Sequence, residues 1–387
     1  MTQSHHGVLL VSGLRTHQEN YGLLFQSDPR CQLVAMTDEA DVGDERTNWN
    51  RALADQFDIP FVPDLDEALR MPGVDIVSVC AEPERRGRIV TKCARAGKHV
   101  YIDKPMTPYL ATADDVVRTV HKAGVRSQMF SFINQAWCRR ARSIVDSGEL
   151  GELRAIHADW LFAKGHPGSA DLTKRRVQPY PCERFSFIDS KAEFYAIGVY
   201  ALGLVCWLAR DRVSSVYGCT RNYFFDAHQK NGQEDFGFLS LKLGNGLIAT
   251  VSGGRIGWSS HPASGENKVF LIGSKGSLCI DGNRMRLETF SNLAPWTPPE
   301  AHPGDPMGFW SSTNQEAAAN PKESWAVLPL ETNEPNDATH FVDCIENEKE
   351  SEMNADAAAH LTEILLAGYK SAATGQVVDL PLERNLP

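Results

Sequence analysis

The feature that most constrains this chain is the alternation, through its first third, of short apolar runs with helical patterns. Residues 7–11, 32–37, 60–62, 74–80 and 99–102 are rich in Val, Ile and Leu with little polar alternation, as strands covered on both faces must be. Between them, residues 19–26, 47–57, 65–70 and 86–96 carry helical spacing. Repeated units of this kind predict a parallel sheet with right-handed crossovers, a Rossmann-type domain.

The most informative joint in that series is AGKHVYIDKPMT, residues 96–107. Gly97 ends a helix, residues 99–102 have strand character, and Asp103-Lys104-Pro105 follows abruptly. Ligands of open parallel sheets sit beyond the carboxyl ends of the strands, so a lysine there can meet cofactor and substrate together. A solvated surface lysine is the plainer alternative. The turn after the first strand reads Ser12-Gly13-Leu14-Arg15-Thr16-His17-Gln18. Gly13 fills the first position of G-x-G-x-x-G, while Arg15 and Gln18 replace the second and third glycines, which normally admit pyrophosphate and a close helix. Arg15 either adds its charge to a phosphate at the helix amino terminus or fills the space that phosphate needs. Asp38, at the end of the second strand, is placed to accept hydrogen bonds from both adenosine ribose hydroxyls; a carboxylate there favours NAD over NADP. Its alternative role is to cap a helix.

Composition sets the remaining bounds. At 387 residues with 42% hydrophobic content, the chain predicts a globular protein of two domains, 1–132 and 133–387. A net charge of -10 argues against nucleic acid as a partner, because phosphate neutralisation needs a concentrated basic face. The amino terminus lacks a basic leader and no segment reaches 18 apolar residues, so a cytoplasmic protein without membrane association is expected. Nine scattered cysteines, with no Cys-x-x-Cys pair, favour reduced thiols over disulfides or a structural metal.

With these features in hand, the chain resembles the glucose-fructose oxidoreductase, inositol dehydrogenase and rhizopine catabolism family, Gfo/Idh/MocA. AGKHVYIDKPMT is similar to the family's A-G-K-H-V-x-x-E-K-P-x-A, with Asp103 for the usual glutamate. Gly198, Tyr200, Leu202 and Trp207-Leu208 resemble its G-x-H/Y and W-L helix. Residues 272–277 resemble its G-x-K-G-S hairpin, and LTEILLAGYKSAATGQVVDLPL its closing helix and strand. The resemblance implies a Rossmann domain followed by an α/β domain on a large, open, mostly antiparallel sheet, often used for dimer or tetramer contacts. It also implies hydride transfer between a nicotinamide and a carbon of a sugar, cyclitol or polyol, with Lys104 near both. The cofactor-binding set is then Gly13, Leu14, Arg15, Asp38, Cys80, Glu82, Asp103, Lys104 and Pro105. The alternatives are a lyase, glycosidase or epimerase that retains NAD, and a sugar-binding member without turnover.

Later in the chain, residues 108–123 predict a helix, 125–132 a strand, 134–147 a bridging helix and 153–162 a strand. A long basic loop over 166–183 follows; with Lys164, it offers His166, Arg175 and Arg176 to a substrate. The helix over 196–209 presents Tyr200, with Ala196 and Gly203 where the family carries aspartates. Tyr200 is either a core residue or a proton donor and acceptor whose pKa Lys104 and the nicotinium charge lower. Tyr195, Glu193 and Asp189 stand nearby. Residues 213–219, 235–243, 247–252, 268–272 and 277–280 read as a meander, interrupted over 253–258, where Trp258 and His261 are placed to cover a sugar ring or an interface. Residues 292–324 read as irregular, and 337–347 and 355–374 as the last helices, with Gly375 as cap.

Overall fold

The computed structural model describes residues 6–163, 173, 185, 190–256, 265–282, 286–291, 324–328 and 335–384. The first unit runs β1 (His6–Val11), α1 (Gln18–Gln26), β2 (Cys31–Thr37), α2 (Asp44–Gln56), β3 (Phe61–Val62), α3 (Leu65–Leu69), β4 (Val74–Val79), α4 (Pro83–Arg95), β5 (His99–Ile102), α5 (Leu110–Ala123) and β6 (Ser127–Met129). Its six strands lie in the order β3-β2-β1-β4-β5-β6 and every pairing is parallel. Val8 to Val11, Val77 and Val79 are wholly buried, which is why these runs lack polar alternation. Local chemistry sets the helix limits. Asp64 accepts from the backbone N–H groups of Asp66 and Glu67 at the start of α3, Pro83 lies in the first turn of α4, and Gly124 ends α5 at φ 66°. Helix α2 begins earlier than the expected residue 47, because extended Gly43 leads into Asp44 and Glu45, whose charges suit a helix amino terminus.

The second unit contains α6 (Ala136–Asp146), β7 (Leu153–Ala163), a π-helical turn (Phe194–Gly198), α7 (Val199–Ala209), β8 (Val213–Arg221), α8 (Asp226–Lys230), β9 (Phe236–Leu243) and β10 (Ile248–Ile256). It continues through β11 (Gly265–Gly273), β12 (Gly276–Asp281), β13 (Arg286–Ser291), β14 (Ser324–Leu328), α9 (Asp337–Glu346), α10 (Ala355–Thr374) and β15 (Val378–Asp379). The nine strands order as β14-β13-β12-β11-β7-β10-β9-β8-β15. The expected simple meander is therefore corrected: β7 lies between β10 and β11 and pairs parallel with β10, while the other pairings are antiparallel. The burial of β7 explains its place, since Ile156, Ala158 and Trp160 are buried in alternation with exposed His157 and Asp159, and a central strand covers that apolar face best. The expected interruption after residue 252 does not occur before Ile256, because Gly253 and Gly254 continue β10, paired to both neighbours.

Helices α6, α7 and α10 cover one face of this sheet; the other leaves Tyr217, Phe238, Ile248 and Phe270 exposed. Helix α10 also reaches the first unit, where Thr362 donates to the Thr107 carbonyl at 3.1 Å. Asp337, at the start of α9, ties the units together by accepting from Tyr101 and from the Asn134 amide, each at 2.6 Å. Burial pushes its carboxyl up to about 6, against the pull of hydrogen bonds from Tyr101, Asn134 and Gln128.

Two predictions follow from this packing. A Cβ on Gly218 would lie 2.4 Å from the Gly368 carbonyl oxygen of α10, whereas one on Gly368 would meet the flexible Leu239 side chain at 2.7 Å. Gly218→Ala is expected to lower the urea midpoint by the equivalent of roughly 1–3 kcal/mol and Gly368→Ala by less, the order to be checked by equilibrium denaturation. The folded protein holds the Asp337 proton above the ordinary carboxylate range, so folding binds protons between about pH 4 and pH 6. Stability should fall as pH rises through that window, by about 3 kcal/mol at most. Asp337→Asn should lack this component in urea midpoints measured against pH.

Candidate functional site

The carboxyl ends of β1, β2, β4 and β5 converge on one edge, and the side chains there fall into two clusters. The first surrounds the end of β5. Lys104 is buried between the two units; its ammonium donates to the Ala196 carbonyl of the π-helical turn at 2.5 Å and lies 4.5 Å from the centre of the Tyr200 ring. Burial pulls that ammonium down to about 7; Asp103 and Glu193 act to hold its proton, while Lys191 and Arg86 act against it. A lysine that sheds its proton near neutrality can exchange one with a substrate hydroxyl.

Asp103 fixes the strand end. It accepts from Tyr21 at 2.8 Å, from His17 Nδ1 at 2.9 Å and from Arg86 at 2.7 Å; Arg86 also donates to the carbonyls of Ala81 and Pro105. Burial acts against its charge, but Arg86 and His17 outweigh that effect and hold the carboxyl well below its usual range. A carboxylate only accepts, so His17 Nδ1 carries the hydrogen, which leaves Nε2 without a partner among the described residues. The imidazole is 37% exposed, in contrast to the buried carboxylate it contacts.

The second cluster surrounds the end of β2. Asp38 is 1% exposed. Its Oδ1 accepts from the Glu39 amide at 2.9 Å and Arg85 at 2.5 Å; its Oδ2 accepts from Ser12 at 2.9 Å, Asn50 at 2.9 Å and Arg85 at 3.2 Å. The oxygens expected to accept from the ribose hydroxyls are thus already met by protein donors. Arg85 and Arg46 both grip Glu82, whose carboxyl they hold down at about 2 against the opposing effect of burial.

The glycine turn is tied inward. The Gly13 amide donates to Asn50 at 2.7 Å, the Leu14 amide to the Trp49 carbonyl at 3.4 Å, and the Arg15 amide to Glu19 at 3.1 Å. Gly13 serves the packing of α2, because a Cβ there would lie 2.8 Å from Asn50 Cα and from the Trp49 oxygen. Arg15 sits at φ 67° with an exposed side chain. Gln18 takes the third glycine's place, buried against Ser78 at 3.3 Å.

The other expected residues divide clearly. Cys80 and Pro105 are buried at the strand ends, and burial pushes the Cys80 thiol well above its usual range. Tyr200 is buried among Phe132, Trp160, Phe130 and Phe162; burial pushes its phenol well above 10, opposite to the expected lowering. Tyr195 is buried against Phe185, also with its phenol pushed up by burial, and its hydroxyl has no partner among the described residues. Glu193 is committed to His228 at 3.0 Å and Arg255 at 3.4 Å. Lys164, His166, Arg175, Arg176, Asp189, Trp258 and His261 lie outside the described residues. His17, Arg46, Arg85 and Arg86 were not anticipated. Arg85 and Arg86 do leave a signal, two cations in the first turn of a helix, where the macrodipole disfavours them unless carboxylates answer.

The lysine end of this edge, where Lys104, Asp103 and Pro105 are buried together, has the chemistry to fit a nicotinamide dinucleotide. The adenosine end does not match a carboxylate that grips a ribose diol.

Residues 10–131 match the model of the oxidoreductase family with an NAD-binding Rossmann fold, and residues 138–279 match that of the GFO/IDH/MocA C-terminal domain. A myo-inositol 2-dehydrogenase of Thermotoga maritima is 23% identical over 221 residues, 57% of this chain and 60% of that protein, so the alignment spans less than two thirds of this relative. An oxidoreductase domain protein from Kribbella flavida is structurally similar, with TM-score 0.72 and 19% identity over 98% of this chain and 100% of that one. The WlbA dehydrogenase of Bordetella pertussis, solved with NADH and UDP-GlcNAcA, has TM-score 0.68 and 18% identity over 99% and 100%. Two family models that together span most of the chain, over the paired sheets described above, establish that it belongs to the Gfo/Idh/MocA family of NAD(P)-dependent oxidoreductases.

Proposed function

We propose that this chain is a dehydrogenase or reductase acting at a hydroxyl or ketone of a sugar, cyclitol or sugar derivative. The observation that carries the reading is Lys104, buried where the parallel sheet meets the second unit, its ammonium pulled down to about 7. The bound nicotinamide supplies the hydride acceptor or donor; the chain supplies position and the proton. As the neutral amine, Lys104 takes the substrate hydroxyl proton; as the ammonium it returns one. The Ala196 carbonyl and the Tyr200 ring keep the amine aimed, and burial of the site excludes water. Tyr200 acts here as a cation–π rest for Lys104, since a phenol this deeply buried stays protonated. His17, held by Asp103, stands at the more exposed rim, suited to pass the proton on to solvent.

The exposed row of Tyr217, Phe238 and Phe270 on the open sheet face supports assembly into a homodimer or homotetramer. Among the described residues, Cys31, Cys80, Cys93, Cys138, Cys206, Cys219 and Cys344 are free thiols, which favours a reducing, cytoplasmic setting. Among the described residues, no helix is long and apolar enough to cross a membrane.

The direct test is turnover of a panel of sugars, cyclitols and sugar acids with both nicotinamide dinucleotides, followed at 340 nm. Lys104→Met should lose about 10²–10⁴ in kcat while still binding cofactor; unchanged turnover would remove Lys104 from the chemistry. In the oxidising direction kcat/KM should rise with pH and level off above about 7, because only the neutral amine accepts the proton. Exposed Lys191 opposes the Lys104 charge, so Lys191→Met should let Lys104 keep its proton longer and move that limb to higher pH, a shift read from the pH profile. His17→Ala should slow turnover in proportion to proton release and be rescued by added imidazole, whereas a purely structural His17 would show no rescue.

A further inference from the structure

We propose that the adenosine end of the nucleotide site reads a 2'-phosphate, through Arg85 and Arg46, so that NADP(H) is the preferred cofactor. The inference rests on the dinucleotide reading above and concerns which nucleotide that site selects.

A carboxylate at the end of β2 selects NAD by accepting hydrogen bonds from the ribose diol and repelling a phosphate. Asp38 has lost the first capacity, because Ser12, Asn50, the Glu39 amide and both terminal nitrogens of Arg85 already donate to its oxygens. The second capacity is offset by the two-pronged contact with Arg85, a strong geometry for a charge pair. Asp38 instead anchors a guanidinium. Arg85 also donates to Ser12 at 2.9 Å and, through Nε, to Glu82 at 2.5 Å.

Glu82 shows what the anchored guanidinium is for. Its two oxygens are divided between Arg85 and Arg46, and Arg46 is itself fixed to the Leu14 carbonyl at 2.8 Å, within the glycine turn. One anionic group held by an N–H from each of two guanidiniums beside that turn is a setting a phosphate monoester can occupy. The carboxylate is 38% exposed while each arginine side chain is 13% exposed, so the anion can turn out to water and the cations cannot follow. Glu82 thus holds the place of the phosphate: when it swings outward, Arg85 Nε and one terminal nitrogen of Arg46 face an incoming anion, and Asp38, Ser12 and Leu14 keep the two guanidiniums in position.

The test is equilibrium binding to the full-length protein, followed through tryptophan emission; Trp49 lies under the Arg46 guanidinium at 4.9 Å and reports on the site. The probes are NADPH and NADH, with adenosine 2',5'-bisphosphate and 5'-AMP as probes that lack a nicotinamide. NADPH should bind at least about tenfold more tightly than NADH, roughly 1.4 kcal/mol, and the bisphosphate should displace it where 5'-AMP does not. Glu82→Gln removes the internal competitor and should raise the affinity for NADPH relative to that for NADH; Arg85→Ala should bring NADPH down to the NADH level. NADH binding as tightly as NADPH in the wild-type protein, or Glu82→Gln tightening both equally, overturns the proposal and leaves the dinucleotide reading intact. Binding of neither dinucleotide overturns both.

Discussion

A buried carboxylate, Asp103, is the constraint on which the functional edge of this molecule depends. It stands at the end of β5, almost inaccessible to water, and stays ionised because Arg86, His17 and Tyr21 converge on it. Removing a charge from water is costly, and only a complete set of partners offsets that cost. Those partners come from α1 with its capping residue and from α4, so the network fixes both helices against the end of β5. Lys104, the next residue, inherits that position. Its ammonium is carried into a dry junction where a carbonyl and an aromatic face receive it, and burial weakens its hold on the proton.

The two units are arranged to keep that junction closed. Asp337 receives Tyr101 from the parallel sheet and Asn134 from the segment leading into the second unit, and α10 touches both units, through Thr362 on the Thr107 carbonyl and through Gly368 against Gly218 of β8. The nine-stranded sheet supplies the far wall through the π-helical turn that begins α7. The contribution of Ala196 is a backbone carbonyl, which receives Lys104. Lys104 and His17 both lie on the Rossmann side of the junction.

The arginines of α4 show how one helix start can serve two separate carboxylates. Arg86 turns inward to Asp103 and Arg85 reaches across the sheet edge to Asp38. Neighbouring side chains on a helix diverge, so consecutive arginines are well placed to address two separate carboxylates. The dipole at a helix amino terminus works against both, and the paired carboxylates repay that disadvantage.

Much of this was legible in the residues themselves. Largely apolar runs of three to seven residues, separated by helical spacing and Gly or Pro stops, determine a parallel sheet almost without regard to tertiary detail, because both faces must be covered. The Gly97 stop and the Asp103-Lys104-Pro105 triplet likewise located the lysine at a strand's carboxyl end. What the chain order could not disclose is which distant partner satisfies each polar group. Asp38 reads as a ribose acceptor until Arg85, 47 residues later, is found on it, and Tyr200 reads as an activated phenol until four aromatic rings enclose it. The insertion of β7 beside β10 was hidden for the same reason. Strand periodicity is a local property that sequence alone determines, whereas hydrogen-bond partners, burial and the resulting proton affinities belong to the space between elements and are decided only when the chain closes on itself.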